Sequence, residues 1–418
     1  MRILIYGLNY SPELTGIGKY TGEMASWLAR RGHEVCVVTA PPYYPAWSIR
    51  EDYRGTLYRT ERHFGEPLVY RTPLYVPAKP SGLKRMAHLF SFMLGSLPIM
   101  FRQCFWRPDV VFTVEPTFFG APVAVLVAKV TGAASWLHVQ DFEIDAAFDL
   151  GLLPAHGPVH SIALGLEKAF TRAFTRVSSI SSKMVERAEA KGVPSNRVTL
   201  FPNWVDIDAV HPQDPDTPNS FRHELSLEGK IILLYSGNMG AKQGLELLAP
   251  LAALFEKDPR VHFVFCGDGA FRPTLESLVA NRSNVTLLPL QPLERLNDLL
   301  NAADIHLLPQ KAGAADLVMP SKLTGMLSSG RPVIATADAG TQVARVVSGD
   351  SADEACGLVV PAEDPAALYA AVEELIEDPT LRAKLGVNAR RYAVNHLGKQ
   401  QVLEQFERDI EELISSIR

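Results

Sequence analysis

The sequence predicts an α/β protein of two domains, on three observations. The chain opens with RILIYGLNY, an apolar strand pattern that runs through the glycine-bearing SPELTGIGKY into a helix from about Tyr20 to Arg31. More than two hundred residues later the same grammar returns in KIILLYSGNMGAKQGLEL, where Ile231 to Tyr235 meet a glycine turn and a helix pattern. The length of 418 residues is too great for one hydrophobic core and suits two. Strand, glycine turn and helix in that order begin doubly wound parallel sheets, whose ligands bind at the carboxyl ends of the strands. Two Rossmann-like domains facing a cleft are therefore expected, residues 1–206 and 207–395.

Composition narrows the function. Hydrophobic content of 47%, charged content of 21% and a net charge of -5 describe a soluble globular chain and argue against a general nucleic-acid binder. The charge is uneven: from Arg50 to Asp109 there are ten Lys or Arg against five Asp or Glu, and from Ser351 to Arg418 seven against thirteen. Cys36, Cys104, Cys266 and Cys356 have no metal-like or disulfide-framework spacing, which implies a reduced, cytoplasmic compartment. The N-terminus runs straight into a strand, so no signal peptide is expected, and no apolar run is long enough to span a bilayer.

In the first domain, Gly16 and Gly18 suit a close backbone approach to a ligand after the first strand. Strand EVCVVTA leads to PPYYPAW, where Tyr43, Tyr44 and Trp47 either pack the apolar face of a sugar or stiffen a surface loop. Residues 83–107 hold sixteen mostly apolar residues between Lys84/Arg85 and Arg102; the stretch suits a helix lying in an anionic membrane surface or one buried on the sheet. Pro98 is expected to kink or end that helix. Strand SWLHVQDFEID brings His138 and Asp141 to a strand end, where an imidazole or carboxylate can orient an acceptor hydroxyl or move a proton. A histidine in such a strand is more often a core residue, which favours Asp141. After helices 160–175 and 182–191, strand RVTLFPNWVD closes the domain with Ser181 and Asn203 at strand ends facing the cleft.

A proline- and aspartate-rich linker is expected over 207–229. Beyond it, Ser236, Gly237, Asn238 and Gly240 place backbone amides at a strand end, and Lys242 stands at the mouth of a helix expected over 244–256, a combination that favours a diphosphate. Gly267, Asp268 and Gly269 form a second glycine turn. Ser321 and Lys322 open another helix, a second phosphate-ready position. Neither glycine loop reads GxGxxG, which argues against a dinucleotide-dependent dehydrogenase.

The strings TGIGKYTGEMASWLARRGHEVCVVTAPPYYP, YSGNMGAKQGLE, CGDGAFRPTLE, PSKLTGMLSSGRPVIAT and GLVVPAEDPAAL, in this order, resemble the retaining glycosyltransferases of the GT4 family. The resemblance covers nearly the whole chain. It implies the GT-B fold, with residues 396–418 forming a helix that packs back on the first domain. It implies a nucleotide-sugar donor as substrate, held by Gly16, Gly18, Ser236, Gly237, Asn238, Gly240, Gly267, Asp268, Gly269, Asp316, Pro320, Ser321, Thr324 and Gly325. Lys242, Lys322, Asp141 and His138 would serve the chemistry, and Tyr43, Tyr44, Trp47 and Asn203 the acceptor, with no metal and no cofactor. The opening and HVQDFEID are similar to members acting in colanic-acid-type exopolysaccharide synthesis, which implies GDP-fucose as donor, a polyprenyl-diphosphate-linked sugar as acceptor, and a place on the inner face of the cytoplasmic membrane. Several positions depart from the family. Its usual Arg and Lys in the second-domain glycine loop fall on Asn238 and Gln243, and its pair of glutamates on Leu317 and Gly325, leaving Asp316 and Thr324 as nearby substitutes. Its HD pair reads Gln140-Asp141. These losses keep two other readings open, a GT-B sugar-nucleotide epimerase and a non-catalytic sugar-nucleotide-binding subunit.

Overall fold

The computed structural model describes residues 1–13, 16–78, 82–116, 118–142, 157–214, 217–240, 243–312 and 319–417. By Cα proximity the chain divides into two compact units, Met1–Pro202 with Leu403–Arg418, and Asn203–Val402.

The first unit holds an eight-stranded sheet in the order β3-β4-β2-β1-β5-β6-β7-β8. Its strands are β1 (Arg2–Gly7), β2 (Glu34–Thr39), β3 (Arg59–Glu61), β4 (Leu68–Arg71), β5 (Val110–Val114), β6 (Ala134–Val139), β7 (Arg176–Ser179) and β8 (Val198–Leu200). All neighbours pair in parallel except β3 with β4. Leu4 lies opposite both Cys36 of β2 and Val111 of β5. The order therefore reverses at β1, and the carboxyl end of β1 is the switch point at which such sheets hold ligands.

Helices α1 (Gly16–Arg30), α2 (Gly82–Trp106), α3 (Ala121–Thr131), α4 (Pro158–Ala173) and α5 (Ser182–Ala190) belong to this unit. In α2 the buried residues His88, Leu89, Phe92, Ser96, Met100 and Gln103 share one face. Phe92 stacks on Tyr6 at 5.3 Å, and Tyr6 Oη lies 2.7 Å from Ser96 Oγ, so this face is pinned to β1. Pro98 does not end the helix. The carbonyl it leaves without an intrahelical donor is that of Leu94, whose side chain is half exposed, so solvent can supply the missing bond.

The second unit holds a fully parallel sheet in the order β11-β10-β9-β12-β13-β14. These are β9 (Ile231–Ser236), β10 (Val261–Cys266), β11 (Val285–Leu288), β12 (Ile305–Leu308), β13 (Val333–Thr336) and β14 (Gly357–Val360). Both faces are covered: Ile232 and Leu234 enter one apolar cluster, Leu233 and Tyr235 the other. That is why these strands read as unbroken apolar runs. The sheet reverses at β9, again a first strand.

Around it lie α6 (Ser220–Glu224), α7 (Leu248–Leu254), α8 (Arg272–Val279), α9 (Leu296–Ala302), α10 (Ser321–Ser328), α11 (Gln342–Ser348), α12 (Pro365–Glu377) and α13 (Pro379–Tyr392). The expected linker contains α6, whose amino end is capped by Asn219 accepting from the Phe221 and Arg222 amides. The helix expected over 244–256 is a 3₁₀ turn, Leu245–Leu247, followed by α7.

The final helix α14 (Lys399–Ile417) is amphipathic, and from Leu403 onward it belongs to the first unit. Phe406 stacks on Phe201 at 4.3 Å and meets Phe112 and Trp136 edge-on. Glu407 binds Arg31 at 3.1 Å and His33 at 2.7 Å. The C-terminal helix is thus part of the first unit's core.

Candidate functional site

In the first unit, the loop after β1 turns Glu13 inward. Its Oε1 accepts the amides of Tyr43 and Tyr44 at 3.1 and 3.0 Å, and its Oε2 accepts from Asn9 Nδ2 at 3.0 Å. Burial raises its pKa, opposed by these hydrogen bonds and by the charge of Arg71. A methyl group at Gly18 would lie 2.6 Å from Glu13 Oε2 and 2.7 Å from its Cβ. The absence of a side chain at Gly18 therefore makes room to seat Glu13 under α1. Gly16, with φ +61°, opens α1 in the left-handed region.

The aromatic loop anchored by Glu13 divides its roles. Tyr43 is buried, meeting His88 edge-on at 4.8 Å and Trp47 at 5.7 Å; Tyr44 is exposed. Trp47 is half-buried and has φ +50°, a conformation that costs an aromatic residue on the order of 1–3 kcal/mol. Tyr44 and Trp47 are the members a ligand can reach.

His138 is a core histidine, which corrects its assignment to the chemistry. It is fully buried, Nδ1 lies 2.9 Å from Ser178 Oγ, Nε2 lies 3.0 Å from Gln140 Nε2, and burial pushes its pKa down to about 3. Asp141 is exposed just past β6. Ser181 caps α5 by accepting the Met184 amide, so it serves the helix. Asn203, expected in the first domain, falls in the second unit.

In the second unit, two glycine turns lock together at the ends of β9 and β10. A methyl group on Gly267 would stand 1.9 Å from the Gly237 carbonyl oxygen, and one on Gly269 2.6 Å from that of Met239. The amide of Gly237 donates to Cys266 O at 3.0 Å and that of Met239 to Asp268 O at 2.8 Å. Those two amides are consumed by the neighbouring turn, which corrects the expectation that Gly237 offers its N–H to a phosphate. The amides of Asn238 and Gly240 have no partner among the described residues. Asp268 accepts from the Gly269 amide at 2.7 Å, and Arg272, not singled out from the sequence, braces the turn through the carbonyls of Gly267 and Leu288.

Lys322, in the first turn of α10, reaches back over this edge and runs against Gly237. Its Nζ donates to Gln243 Oε1 at 2.6 Å and to Tyr235 Oη at 3.2 Å, and lies 4.4 Å from the Tyr235 ring centroid. All of these partners are neutral. Burial with no compensating charge pushes its pKa down to about 7. The ammonium is thus held, poorly solvated and with no counter-charge among the described residues, at the sheet's switch point beside Ser236, which ends β9.

Pro320 precedes α10 and Ser321 is exposed at its start. Thr324 points inward and donates to Ser321 O at 2.8 Å, while a side chain at Gly325 would meet Leu300 at 3.2 Å. The Thr324 hydroxyl is thus turned to its own helix, and Gly325 packs close to Leu300. Lys242 and Asp316 lie outside the described residues.

Two doubly wound sheets, parallel throughout but for β3, each reverse their order at a first strand, where such sheets hold ligands. The glycosyl transferase 4-like domain profile matches residues 15–204, and the profile of glycosyl transferases group 1 matches residues 216–392. The chain is 43% identical over 416 residues to the putative colanic acid biosynthesis glycosyl transferase WcaI of Escherichia coli K12, covering 98% of this chain and 100% of that protein. Among solved structures it is similar to sucrose-phosphate synthase from Thermosynechococcus elongatus, with TM-score 0.74 and 18% identity over 99% of each chain. It is also similar to Anabaena Alr3699/HepE in complex with UDP and glucose, with TM-score 0.68 and 15% identity over 99% of this chain and 100% of that one. The chain belongs to the group 1 glycosyltransferases, the GT4 family with the GT-B fold.

Proposed function

We propose that the chain is a retaining glycosyltransferase that moves fucose from GDP-fucose to a polyprenyl-diphosphate-linked sugar in exopolysaccharide synthesis. The observation that carries the reading is the Lys322 ammonium at the switch point of the second sheet, whose partners Tyr235 and Gln243 are neutral. The full-length similarity to WcaI supports the pathway.

Breaking the bond between sugar and diphosphate builds negative charge on the leaving group. A cation fixed where that charge grows stabilises the transition state more than the ground state. Lys322 has that role, the amides of Asn238 and Gly240, which have no partner among the described residues, extend it, and Lys242 adds a second cation. The donor phosphate takes the acceptor's proton on the face it leaves, so neither a metal nor a cofactor enters. Glu13 fixes the loop on which Tyr44 and Trp47 meet the acceptor sugar, and Asp141 orients its hydroxyl.

The acceptor is lipid-linked, and the outer face of α2 suits its source. Leu83, Phe90, Leu94, Phe101 and Phe105 are exposed at spacings of seven, four, seven and four residues, one continuous stripe opposite the buried face. Lys84, Arg85 and Arg102 flank it. No helix among the described residues is long and apolar enough to cross a membrane. A stripe with basic flanks fits the surface of an anionic bilayer, which supports reading the enzyme as bound to the cytoplasmic face of the membrane.

Nucleotide release from GDP- and UDP-sugars, with and without a glucose-diphospho-polyprenol acceptor, tests the reading. GDP release from GDP-fucose that requires the lipid is expected. Release without acceptor that yields an altered sugar favours an epimerase, and nucleotide binding with no release at all favours a non-catalytic subunit.

A further inference from the structure

His88 lies on the buried face of α2, the helix whose opposite face carries the exposed apolar stripe. Its Nδ1 is 2.6 Å from the carbonyl oxygen of Tyr75. A carbonyl only accepts, so Nδ1 carries the proton. Burial lowers the imidazole's pKa and keeps the ring neutral. Nε2 is then a lone-pair acceptor; it is buried and has no hydrogen-bond partner among the described residues. It needs a donor, and a neutral one, because the nearby Arg85 charge, which also lowers the imidazole's pKa, disfavours a second cation beside it.

The surroundings of the ring narrow the donor's chemistry. Tyr43 lies 4.8 Å and Trp47 5.3 Å from the imidazole centroid, so the walls are aromatic. Tyr43 is fixed from behind through the amide that Glu13 accepts. Trp47 is half-buried and sits in the left-handed region, which makes it the wall that can move and relax. A hydroxyl-bearing ring with an apolar face satisfies both the orphan nitrogen and the aromatic walls.

We propose that His88 Nε2 accepts a hydrogen bond from one hydroxyl of the acceptor sugar, which enters by displacing the Trp47 ring, and that this bond selects the acceptor. The inference rests on the reading of the acceptor as a lipid-linked sugar. It makes α2 a bridge between two tasks. Its outer stripe meets the bilayer that delivers the lipid, and its inner face reads the sugar.

The test is steady-state kinetics in which GDP-fucose and the glucose-diphospho-polyprenol acceptor are each varied at saturation of the other, with the acceptor's monodeoxy analogues alongside. His88→Phe keeps the ring packing and removes the acceptor nitrogen. It is expected to raise the acceptor KM about tenfold, with the donor KM unchanged. One deoxy analogue is expected to be equally poor for parent and variant, since it lacks the hydroxyl that His88 binds. An unchanged acceptor KM, or the same factor lost on every analogue, overturns the proposal. If His88→Phe does not fold, parent protein labelled with ¹⁵N-histidine decides: the His88 Nε2 resonance is expected to shift on adding the acceptor but not that analogue, and a stationary resonance overturns it. If the parent transfers to no lipid-linked sugar, the functional reading itself fails and the inference falls with it, an outcome seen without any His88 variant.

Discussion

The two units open with the same strand, glycine turn and helix, yet their sheet edges are built with opposite electrostatics. At the end of β1 the buried groups are a carboxylate consumed by three N–H donors, Glu13, a guanidinium, Arg71, paired with Glu61, and a neutral imidazole, His88. At the end of β9 the buried group is the ammonium of Lys322 with only neutral partners. An edge with its charge already satisfied suits neutral hydroxyls; an edge with an unneutralised cation suits a diphosphate. The shared grammar specifies where a ligand sits, and the side chains around it specify which ligand.

The largest expected effect tests the locked turns of the second unit. Gly267→Ala drives a methyl group into the Gly237 carbonyl and is expected to destabilise that unit by about 3 kcal/mol or more in denaturant unfolding. Gly18→Ala, which meets Glu13, is expected to cost about 1–3 kcal/mol by overpacking. Equal stability of Gly267→Ala and the parent would break the account of these glycines as packing devices.

Next in size is Lys322→Ala, expected to lower turnover about a hundredfold, equivalent to about 2.7 kcal/mol of transition-state stabilisation. A turnover within twofold of the parent would remove the cation from the mechanism. Lys322 also predicts a pH dependence. Its pKa is pushed down to about 7 in the free protein, and a bound diphosphate favours the ammonium and raises it again. GDP affinity is therefore expected to fall as pH rises from 6 towards 9, with proton uptake on binding at pH 8. Calorimetry in two buffers of different ionisation enthalpy reads that uptake, and Lys322→Ala should abolish it.

The smallest effect concerns α2. Lys84→Glu with Arg85→Glu is expected to weaken binding to phosphatidylglycerol vesicles about thirtyfold, at about 1 kcal/mol per basic residue lost near the surface, and salt should weaken the parent likewise. Equal flotation of variant and parent would separate the stripe from the membrane.

The sequence shows the strands that start each sheet, because β1 and β9 are buried on both faces and read as unbroken apolar runs. It also places Lys322, whose position at a helix start is local. It hides what depends on a second segment. Gly237 looks like a phosphate donor until the β10 turn takes its amide. Glu13 looks like a solvated loop acid, and only the return of Tyr43 and Tyr44 buries it. Strands β3 and β4 are short, and the buried Arg71 on β4, paired with Glu61 on β3, masks the apolar pattern. Thr324 and Gly325 point inward because of how α10 meets its neighbours, which a one-dimensional register against a family pattern does not contain.

The most direct test of the division between the two edges is a two-substrate kinetic matrix, varying GDP-fucose against lipid acceptor, for the parent, Lys322→Ala and Glu13→Ala. The account predicts that Lys322→Ala changes the donor KM and turnover while leaving the acceptor KM in place, and that Glu13→Ala, by releasing the Tyr43–Tyr44 loop, raises the acceptor KM alone. A donor KM that moves with Glu13→Ala as much as with Lys322→Ala would contradict it.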